Sequence, residues 1–303
     1  MTSKSECKIC GASPLEIFAH TAMCLNCGVL LYYPYPPDDD TLRAARDPSK
    51  CWGESGAESW YSNSSILKHT NFTKVLRFVF DGSETASKMD VLDYGGGGGQ
   101  FALVCKSQFI NAEVFIVDID DDALLESWKG ANHQIKYLEF ATNPRRFDYI
   151  FLNDLFEHLG DPRGVLKLLV SKLKPGGKIF IDTPRQFWLY PVLNRLAKPL
   201  YLKFLKGSVS TSHLQIWSEA SFRVAVEDAG LRIDKLERIS EYTMPADFYI
   251  KNMQFTNPLL KWFARVFYAN AHWLARNKII CLLSRNDDNV DTCHHRGSTR
   301  STS

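Results

Sequence analysis

Apolar residues in the central part of the chain follow two patterns, short continuous runs and runs with helical spacing. The continuous runs predict buried strands at 91–93, 113–118, 147–152, 178–182, 231–238 and 278–284. The helical spacing predicts helices at 65–80, 100–109, 122–128, 165–173 and 218–230. This alternation of strands and helices predicts an α/β domain whose parallel sheet is covered on both faces.

The segments on either side of this pattern have a different composition. The N-terminal segment holds four of the eight cysteines, and a proline-rich run follows it, which is typical of a stiff linker. Two stretches within the α/β pattern are rich in aromatic residues, and the C-terminal end is polar. The predicted organisation is a small unit at 1–35, a linker at 36–59, a main domain at 60–285 with aromatic insertions at 187–205 and 242–273, and a disordered tail at 286–303.

Composition places the chain among ordinary globular proteins, with 45% hydrophobic and 23% charged residues in a length of 303. A net charge of +2 is too small to indicate a nucleic acid partner. No uninterrupted apolar run approaches the ~18 residues that cross a bilayer, and residues 1–13 lack the features of a secretory signal. We therefore expect a cytoplasmic protein whose thiols stay reduced.

Four cysteines near the N-terminus form two C-x-x-C pairs, Cys7 with Cys10 and Cys24 with Cys27. Each pair places two thiolates on one tight turn, and two such turns complete a tetrahedral site. This spacing predicts a zinc ribbon, and four sulfur ligands leave no open position, so the zinc is expected to be structural. The alternative is four buried or redox-active cysteines.

Five consecutive glycines follow the first predicted strand and precede a helix, which is typical of a loop that binds a ligand at the carboxyl edge of a sheet. Gly95, Gly97 and Gly99 have the spacing G-x-G-x-G, which departs from the dinucleotide fingerprint G-x-G-x-x-G. Asp118 ends the second strand, where a carboxylate can accept both hydroxyls of a ribose. The alternative for Asp118 is a helix cap.

An ordered series of motifs now resembles the class I S-adenosylmethionine (SAM) methyltransferases. The motifs are D-Y-G-G-G-G-G at 93–99, V-D-I-D at 117–120, F-D-Y-I-F-L-N-D-L-F-E-H-L-G-D-P at 147–162, L-K-P-G-G at 173–177, H-L-Q-I-W-S at 213–218 and E-D-A-G-L at 227–231. The resemblance implies a Rossmann-like fold with a seven-stranded, mostly parallel sheet. It also implies SAM contacts for Asp93, Gly95, Gly97 and Gly99 at the amino acid end, Asp118 at the ribose and Asn153 near the methionine portion.

The fourth strand is followed by Asp154, Glu157 and His158, at the edge where active sites form in such sheets. Helical spacing would bring these residues together, and His213 could join them. One hypothesis makes His158 a general base, since the unperturbed imidazole pKa of ~6.5 suits proton transfer at neutral pH. Glu157 would orient this imidazole, and His213 is a further candidate. The alternative is that Glu157 and His158 merely cap a loop.

A second hypothesis is that Asp154, Glu157, His158 and His213 bind a divalent metal such as magnesium, which polarises a substrate hydroxyl. The segment is similar to the E-x-x-E-H element of ubiquinone-biosynthesis O-methyltransferases and small-RNA 2′-O-methyltransferases. In this sequence Asp154 stands where that element has its first glutamate.

An N-terminal zinc ribbon before such a domain resembles the sugar C-methyltransferases, in which the ribbon helps close the substrate site. The aromatic insertions predict a lid over an aromatic, lipid-linked or sugar substrate. Alternatives are an interfacial helix on a membrane, giving peripheral contact, or a hydrophobic cap or dimer interface. We therefore predict methyl transfer from SAM to a small or carrier-linked acceptor, such as a sugar, phenol or lipid-linked glycan. The competing hypothesis is a non-catalytic, zinc-bearing interaction module.

Overall fold

A computed structural model describes most of the predicted domain. The described residues are 6–13, 15–18, 20–35, 69–80, 88–97, 99–118, 135–137, 140, 142–186, 213–241, 258–270 and 276–286. The predicted linker, the helix at 122–128, the first aromatic insertion and nearly all of the tail lie outside these residues. The second insertion is described only at 258–270.

The described strands form two sheets. The strands are β1 Leu15–Phe18, β2 Thr21–Cys24, β3 Leu30–Tyr32, β4 Asp90–Tyr94, β5 Glu113–Val117, β6 Ile135–Tyr137, β7 Phe147–Leu152, β8 Leu173–Pro184, β9 Gln215–Ile216, β10 Leu231–Ile239 and β11 Lys278–Arg285. The helices are α1 Gln100–Gln108, α2 Pro162–Ser171, α3 Glu219–Asp228 and α4 Pro258–Ala269, and residues 69–79 are also helical. None of the helices in the described ranges is long and apolar enough to span a bilayer.

The larger sheet has seven strands in the order β10-β11-β8-β7-β4-β5-β6. Pairings from β6 through β8 are parallel, and β11 runs antiparallel to both β8 and β10. This confirms the Rossmann-like, seven-stranded, mostly parallel fold. The carboxyl ends of β4, β5, β7 and β8 consequently meet at one edge, called the catalytic edge below. The opposite edge, where these four strands begin, is called the amino edge.

Apolar side chains cover both faces of this sheet. Helix α1 and the segment 69–80 pack on one face, where Phe101 and Phe151 lie with ring centroids 4.6 Å apart. Helices α2 and α3 pack on the other face, where Phe156 stacks on Trp217 at 4.6 Å. Trp217 is completely buried. Because each fully buried large apolar side chain contributes about 1.5–3 kcal/mol, these two layers are the main source of stability.

Helix α2 begins and ends earlier than its apolar spacing predicts. Asp161 caps its first turn by accepting a hydrogen bond from the Gly164 amide at 2.9 Å, and Pro162 occupies the first helical position. The helix ends at Ser171, two residues before the predicted end at 173, and the L-K-P-G-G motif at 173–177 lies within β8. A Cβ at Gly177 would lie 2.9 Å from the Phe147 carbonyl oxygen, so a glycine is required where β8 passes β7.

The smaller sheet has the order β1-β2-β3-β9, and it joins the N-terminal unit to the main domain. Strand β9 lies more than 180 residues downstream of β3, yet Leu30 pairs with Ile216 and Leu31 with Gln215. The sequence did not predict β9, because a two-residue strand has no periodicity to detect. The cysteine-bearing unit is therefore built onto the domain and shares its apolar core.

Candidate active site

The glycine loop leaves β4 at the catalytic edge and turns into α1. The amides of Gly95 and Gly96 both donate to the Val117 carbonyl oxygen, at 2.6 and 3.3 Å, which folds the loop against the end of β5. Gly95 has a φ of 76°, and a Cβ there would lie 2.6 Å from the Leu155 side chain. At Gly97, in contrast, the nearest atom of the described residues to a Cβ would be in the Asp118 carboxylate, at 3.9 Å. The backbone at Gly97 is therefore open for close approach by a ligand.

The six residues predicted to contact SAM lie at the ends of three neighbouring strands. The structure brings them to one edge of the sheet, after β4, β5 and β7. The Asp118 carboxylate accepts a hydrogen bond from the Gly97 amide at 2.7 Å, which ties the predicted ribose-binding acid to the loop. The residues concerned are Asp93, Gly95, Gly97, Gly99, Asp118 and Asn153.

Buried polar atoms without a partner lie beneath this loop. Asp93 is 1% exposed, and neither its Oδ2 nor the amide atoms of Asn153 has a hydrogen-bond partner within the described ranges. Burial raises the pKa of Asp93 to about 7, and the Asn153 amide, which lies nearby without forming a hydrogen bond of normal geometry, opposes that rise. Unpartnered buried donors and acceptors are costly, so they are typical of a site completed by a ligand. The ammonium and carboxylate of an amino acid are suitable partners, so these residues fit the amino acid end of SAM.

A second group of polar residues, Glu157, His158 and His213, lies at the same edge. One ligand atom from each lies within 4.8 Å of the others. The Glu157 carboxylate is buried, accepts a hydrogen bond from the Thr183 hydroxyl at 3.0 Å, and lies 3.8 Å from His158 Nε2. The imidazole rings are edge to face, with centroids 5.0 Å apart. The structure thus brings the three predicted catalytic residues together.

Burial changes the proton affinity of two of these groups. It raises the pKa of Glu157 to about 7, an effect that His213 opposes. It lowers the pKa of His213, which Glu157 opposes in turn. His158 has 35% of its side chain exposed. The cluster therefore combines a buried carboxyl group and a histidine held neutral by burial with a histidine that an acceptor can reach.

Asp154, the fourth residue predicted to bind magnesium, lies apart from this cluster. Its Oδ1 forms an ion pair with the Lys278 ammonium at 2.6 Å. Asp154 has a φ of 49°, unusual for a non-glycine residue, and such strain is concentrated at functional sites. The sequence did not predict a role for Lys278 or for Asp182, which lies 3.0 Å from Lys278. The available signal was a charged residue directly next to an apolar run, 179–181 for Asp182 and 279–283 for Lys278.

The four predicted zinc ligands converge in the N-terminal unit. Their sulfur atoms all lie within 4.8 Å of one another, with Cys7 and Cys27 3.7 Å apart and Cys10 and Cys24 3.6 Å apart. A tetrahedral site with Zn–S bonds of ~2.3 Å requires sulfur atoms about 3.8 Å apart. A disulfide would require a separation of ~2 Å. The arrangement therefore contains no formed disulfide among these four cysteines and fits a zinc centre with four thiolate ligands.

The N-terminal unit contacts the segment that carries His213. The Tyr32 amide donates to the Leu214 carbonyl oxygen at 2.7 Å, and the Leu214 amide donates to the Glu157 carbonyl oxygen at 2.9 Å. The Tyr35 hydroxyl donates to the Gly160 carbonyl oxygen at 2.6 Å. The cysteine-bearing unit is thus two hydrogen bonds away from the backbone of Glu157.

The larger sheet is parallel from β6 through β8 and has an antiparallel last strand, β11. A glycine loop follows β4, and an acid follows β5. Together these features define a class I SAM-dependent methyltransferase. The family model described as "Methyltransferase domain" matches residues 65–236. That match covers more than half of the chain, so the chain belongs to this family and is a SAM-dependent methyltransferase.

Similarity to individual proteins agrees with this assignment. The chain is 30% identical over 172 residues to the ubiquinone biosynthesis O-methyltransferase of Idiomarina loihiensis, covering 53% of this chain and 65% of that enzyme. It is 24% identical over 207 residues to the enzyme of the same name from Coxiella burnetii, covering 63% and 87%. The methyltransferase in a complex with the Haloferax volcanii Trm112 activator shares the fold, with a TM-score of 0.52, 15% identity and coverage of 82% and 99%.

Proposed function

We propose that this methyltransferase transfers the methyl group of SAM to a hydroxyl of a small or carrier-linked acceptor, with His158 as general base. The observation that carries the proposal is the convergence of Glu157, His158 and His213 at the catalytic edge. The O-methyltransferase names of the relatives in Idiomarina and Coxiella also support a hydroxyl acceptor. A phenol, a sugar and a lipid-linked glycan are the acceptor types considered.

SAM supplies an electrophilic methyl group on its sulfonium. The chain's own task is to hold an acceptor hydroxyl in line with that methyl and to remove its proton, and positioning alone can provide much of the acceleration. Because His158 Nε2 faces Glu157, the tautomer with a proton on Nε2 leaves Nδ1 to accept the hydroxyl proton. The neighbouring carboxyl group then stabilises the imidazolium that forms.

Magnesium remains a second mechanism at the same site. Glu157, His158 and His213 offer three ligand atoms close enough to share one cation, whereas the predicted fourth ligand, Asp154, is paired with Lys278. A metal there would polarise the acceptor hydroxyl directly. Assays in buffer without Mg²⁺ and with added Mg²⁺, with no chelator that could remove the proposed zinc, separate the mechanisms: a base mechanism predicts undiminished turnover without Mg²⁺, and the metal mechanism predicts turnover that requires it.

We propose that the N-terminal unit binds one structural zinc through Cys7, Cys10, Cys24 and Cys27. The sulfur spacings and the two glycine-containing knuckle turns support this, and reduced thiols agree with the expected cytoplasmic location. Metal analysis is expected to give one zinc per chain in the wild type and none in Cys24→Ser. Since the unit packs on β9, we expect this variant to have a lower thermal midpoint.

We also propose that α4 contacts an anionic membrane surface. Leu259, Trp262, Phe263 and Val266 lie on one helical face with 60%, 56%, 55% and 42% of their surface exposed. Residues 185–212 carry five Lys or Arg and no Asp or Glu, and residues 242–277 carry four and one. These two connections therefore have a net charge of +8 in a chain of net charge +2. Lys261 and Arg265 of α4 are themselves exposed, and basic residues beside an apolar helical face attract anionic lipid.

Vesicle sedimentation tests the membrane proposal. We expect the protein to bind vesicles of phosphatidylcholine with about 30% phosphatidylglycerol and to bind pure phosphatidylcholine much less. Trp262→Ser/Phe263→Ser is expected to lose most of the binding. The matched control is Ile110→Ser, which changes a side chain that is 77% exposed at the amino edge. Equal binding by both variants, or a concentration-dependent dimer that needs Trp262, would contradict the proposal.

The methyl-transfer proposal is tested by measuring conversion of SAM to S-adenosylhomocysteine. The acceptor panel contains catechols, nucleotide sugars and lipid-linked glycans, and a thermal shift with S-adenosylhomocysteine is measured first. A shift together with turnover on a hydroxyl acceptor supports the proposal. No shift at saturating ligand would favour the non-catalytic module, and methylation at carbon or nitrogen would refute the hydroxyl assignment.

A further inference from the structure

Lys278 begins β11 and is almost completely buried at the catalytic edge, with 5% of its surface exposed. Its Nζ lies 2.6 Å from Asp154 Oδ1, 3.0 Å from Asp182 Oδ2 and 3.5 Å from Glu241 Oε2. One ammonium thus has three carboxylates around it. None of these four charged groups takes part in the proton transfer proposed above, so the structure gives them a separate task.

The contacts of Lys278 reach the turn that carries the proposed site residues. Asp154 lies between Asn153, which faces the proposed SAM site, and Glu157. The Asp154 amide donates to the Asp182 carboxylate, so both its side chain and its strained backbone are held by this group of charges. Lys278 therefore holds the start of the 153–158 turn in place.

The same ammonium also ties the turn to elements on the far side of the sheet. Glu241 follows β10 and accepts a hydrogen bond from the Asn71 side chain, in the helical segment 69–79, at 2.6 Å. The Asn277 side chain makes two hydrogen bonds with the backbone of Glu241, at 2.9 and 3.0 Å. Four segments of the chain consequently meet at Lys278, and a fifth, which carries Asn71, joins them through Glu241.

Electrostatics make this arrangement depend on the ammonium. Burial by itself lowers the pKa of Lys278, but the carboxylates of Asp154, Asp182 and Glu241 raise it well above its ordinary value, so the side chain stays charged. Burial also raises the pKa of Asp182 and of Glu241, and Lys278 opposes the shift in both. If the ammonium were removed, the buried carboxylates would repel one another.

We propose that Lys278 is a positioning residue, an internal cation that fixes the 153–158 turn and occupies the place of a divalent metal among Asp154, Asp182 and Glu241. Carboxylate oxygens are the ligands that Mg²⁺ and Mn²⁺ prefer, and these three, at 2.6–3.5 Å from Nζ, would have to move inward or act through water to bind one ion. The part of this inference that concerns cofactor affinity rests on the proposed contact between Asn153 and SAM. The part that concerns the cation does not.

The first measurement is the affinity for S-adenosylhomocysteine by isothermal titration. Lys278→Met keeps an unbranched side chain that is one atom shorter and removes its charge. We expect this variant to bind S-adenosylhomocysteine about tenfold more weakly, or weaker still. Lys278→Arg keeps the charge, and its affinity for S-adenosylhomocysteine is expected to lie between those of Lys278→Met and the wild type. The matched control is Lys174→Met at the amino edge. Lys174 also pairs with two carboxylates, Asp90 at 2.8 Å and Asp148 at 2.7 Å, and its loss is expected to leave the affinity unchanged.

The second measurement is rescue by a metal ion, which a lysine that merely fills space would not allow. Mn²⁺ or Mg²⁺ at about 5 mM is expected to raise the thermal midpoint of Lys278→Met and to restore most of its affinity for S-adenosylhomocysteine. The wild type is expected to show neither effect, since its carboxylates already have their cation. Adding Asp182→Asn to Lys278→Met removes one ligand and is expected to weaken the rescue.

The outcomes separate this inference from the proposed function. Failure of the wild type to bind S-adenosylhomocysteine would refute the SAM site, while the Mn²⁺ shift of Lys278→Met would still test the cation. A folded Lys278→Met with wild-type affinity, or with no response to either metal, would refute the inference. If Lys278→Met does not fold, Lys278→Met/Asp182→Asn, which loses one charge of each sign, decides in its place. Wild-type affinity in that double variant would refute the positioning role.

Discussion

The two edges of the central sheet both carry charged side chains but arrange them in opposite ways. At the amino edge, Arg145 and Lys174 pair with acids at 2.7–3.4 Å while more than a third of each side chain stays exposed. At the catalytic edge, Asp93, Glu157 and Asp182 are buried. The ion pairs at the amino edge are therefore partly exposed to solvent, whereas the carboxyl groups at the catalytic edge are buried, which disfavours their charged forms.

Strain and unpartnered polar atoms are more frequent at the catalytic edge, although Arg285 Nε at the amino edge is also buried without a partner within the described ranges. Asp154 has positive φ at the catalytic edge, and Asp93 and Asn153 have unpartnered polar atoms there. Buried charge, strain and unsatisfied polar atoms all destabilise a protein, so their concentration at one edge indicates that a ligand and a reaction depend on them. The amino edge is expected to affect stability alone, and the catalytic edge to affect binding and turnover.

The largest effect is expected from His158→Ala. Loss of a general base lowers kcat by about 10²–10⁴-fold, while the affinity for S-adenosylhomocysteine is expected to stay within about twofold, because His158 is not at the glycine loop. The measurement is turnover on the best acceptor of the panel together with titration of S-adenosylhomocysteine. Unchanged turnover would remove His158 as the base.

A smaller effect, limited to cofactor binding, is expected from Gly97→Ala. The added methyl group meets no atom of the described chain closer than 3.9 Å, but it enters the space over the loop where the cofactor is expected. We expect binding of S-adenosylhomocysteine to weaken by about 10–100-fold, and stability to fall by about 1 kcal/mol because φ is 47°. Denaturant unfolding and titration measure the two effects separately. A loss of stability without a loss of affinity would place the cofactor elsewhere.

The sequence predicted the catalytic edge better where residues lie directly after strands than where distant segments meet. Asp93, Asp118 and Asn153 each follow or end an apolar run, which predicts that they share one edge of a parallel sheet, while the roles of Asp93 and Asn153 came from the resemblance to the methyltransferase family. Lys278 begins β11 and Glu241 follows β10. Their distance from Asp154 depends on tertiary packing that no local pattern encodes. The pairing of β9 with β3 was missed for the same reason.

The pH dependence of the stability of Asp93→Asn tests the difference between the two edges in another way. Burial raises the pKa of Asp93 to about 7, so the folded apoprotein holds a proton that the unfolded chain releases near pH 4. The resulting stabilisation is complete below about pH 4 and is lost as pH rises through 7. Asp93→Asn stays neutral, so its stability relative to wild type is expected to rise by on the order of 1–3 kcal/mol between pH 5 and pH 8. The same difference in unfolding free energy between Asp93→Asn and wild type at pH 5 and at pH 8 would contradict this.

The same carboxyl group gives a prediction for the wild type. If Asp93 faces the ammonium of SAM, binding favours the ionised carboxylate and releases a proton at about pH 6. Titration of S-adenosylhomocysteine in two buffers with different ionisation enthalpies measures that release. Asp93→Asn is expected to release fewer protons on binding. Equal proton release by the two proteins would mean that Asp93 supports the glycine loop and does not contact the ligand.

The smallest effect is expected at the amino edge, from Arg145→Ala. Its guanidinium pairs with Asp90 at 2.9 Å and lies 4.4 Å from the centre of the Phe115 ring, but 37% of the side chain is exposed. Exposed pairs contribute ~0.2–1 kcal/mol, and an exposed cation–π contact adds ~0.5–1 kcal/mol, so we expect a loss of about 1–2 kcal/mol in denaturant unfolding. Since Arg145 lies across the sheet from the glycine loop, affinity for S-adenosylhomocysteine and kcat should not change. A change in either would show that the two edges are coupled, and the division between a stabilising edge and a functional edge would then be wrong.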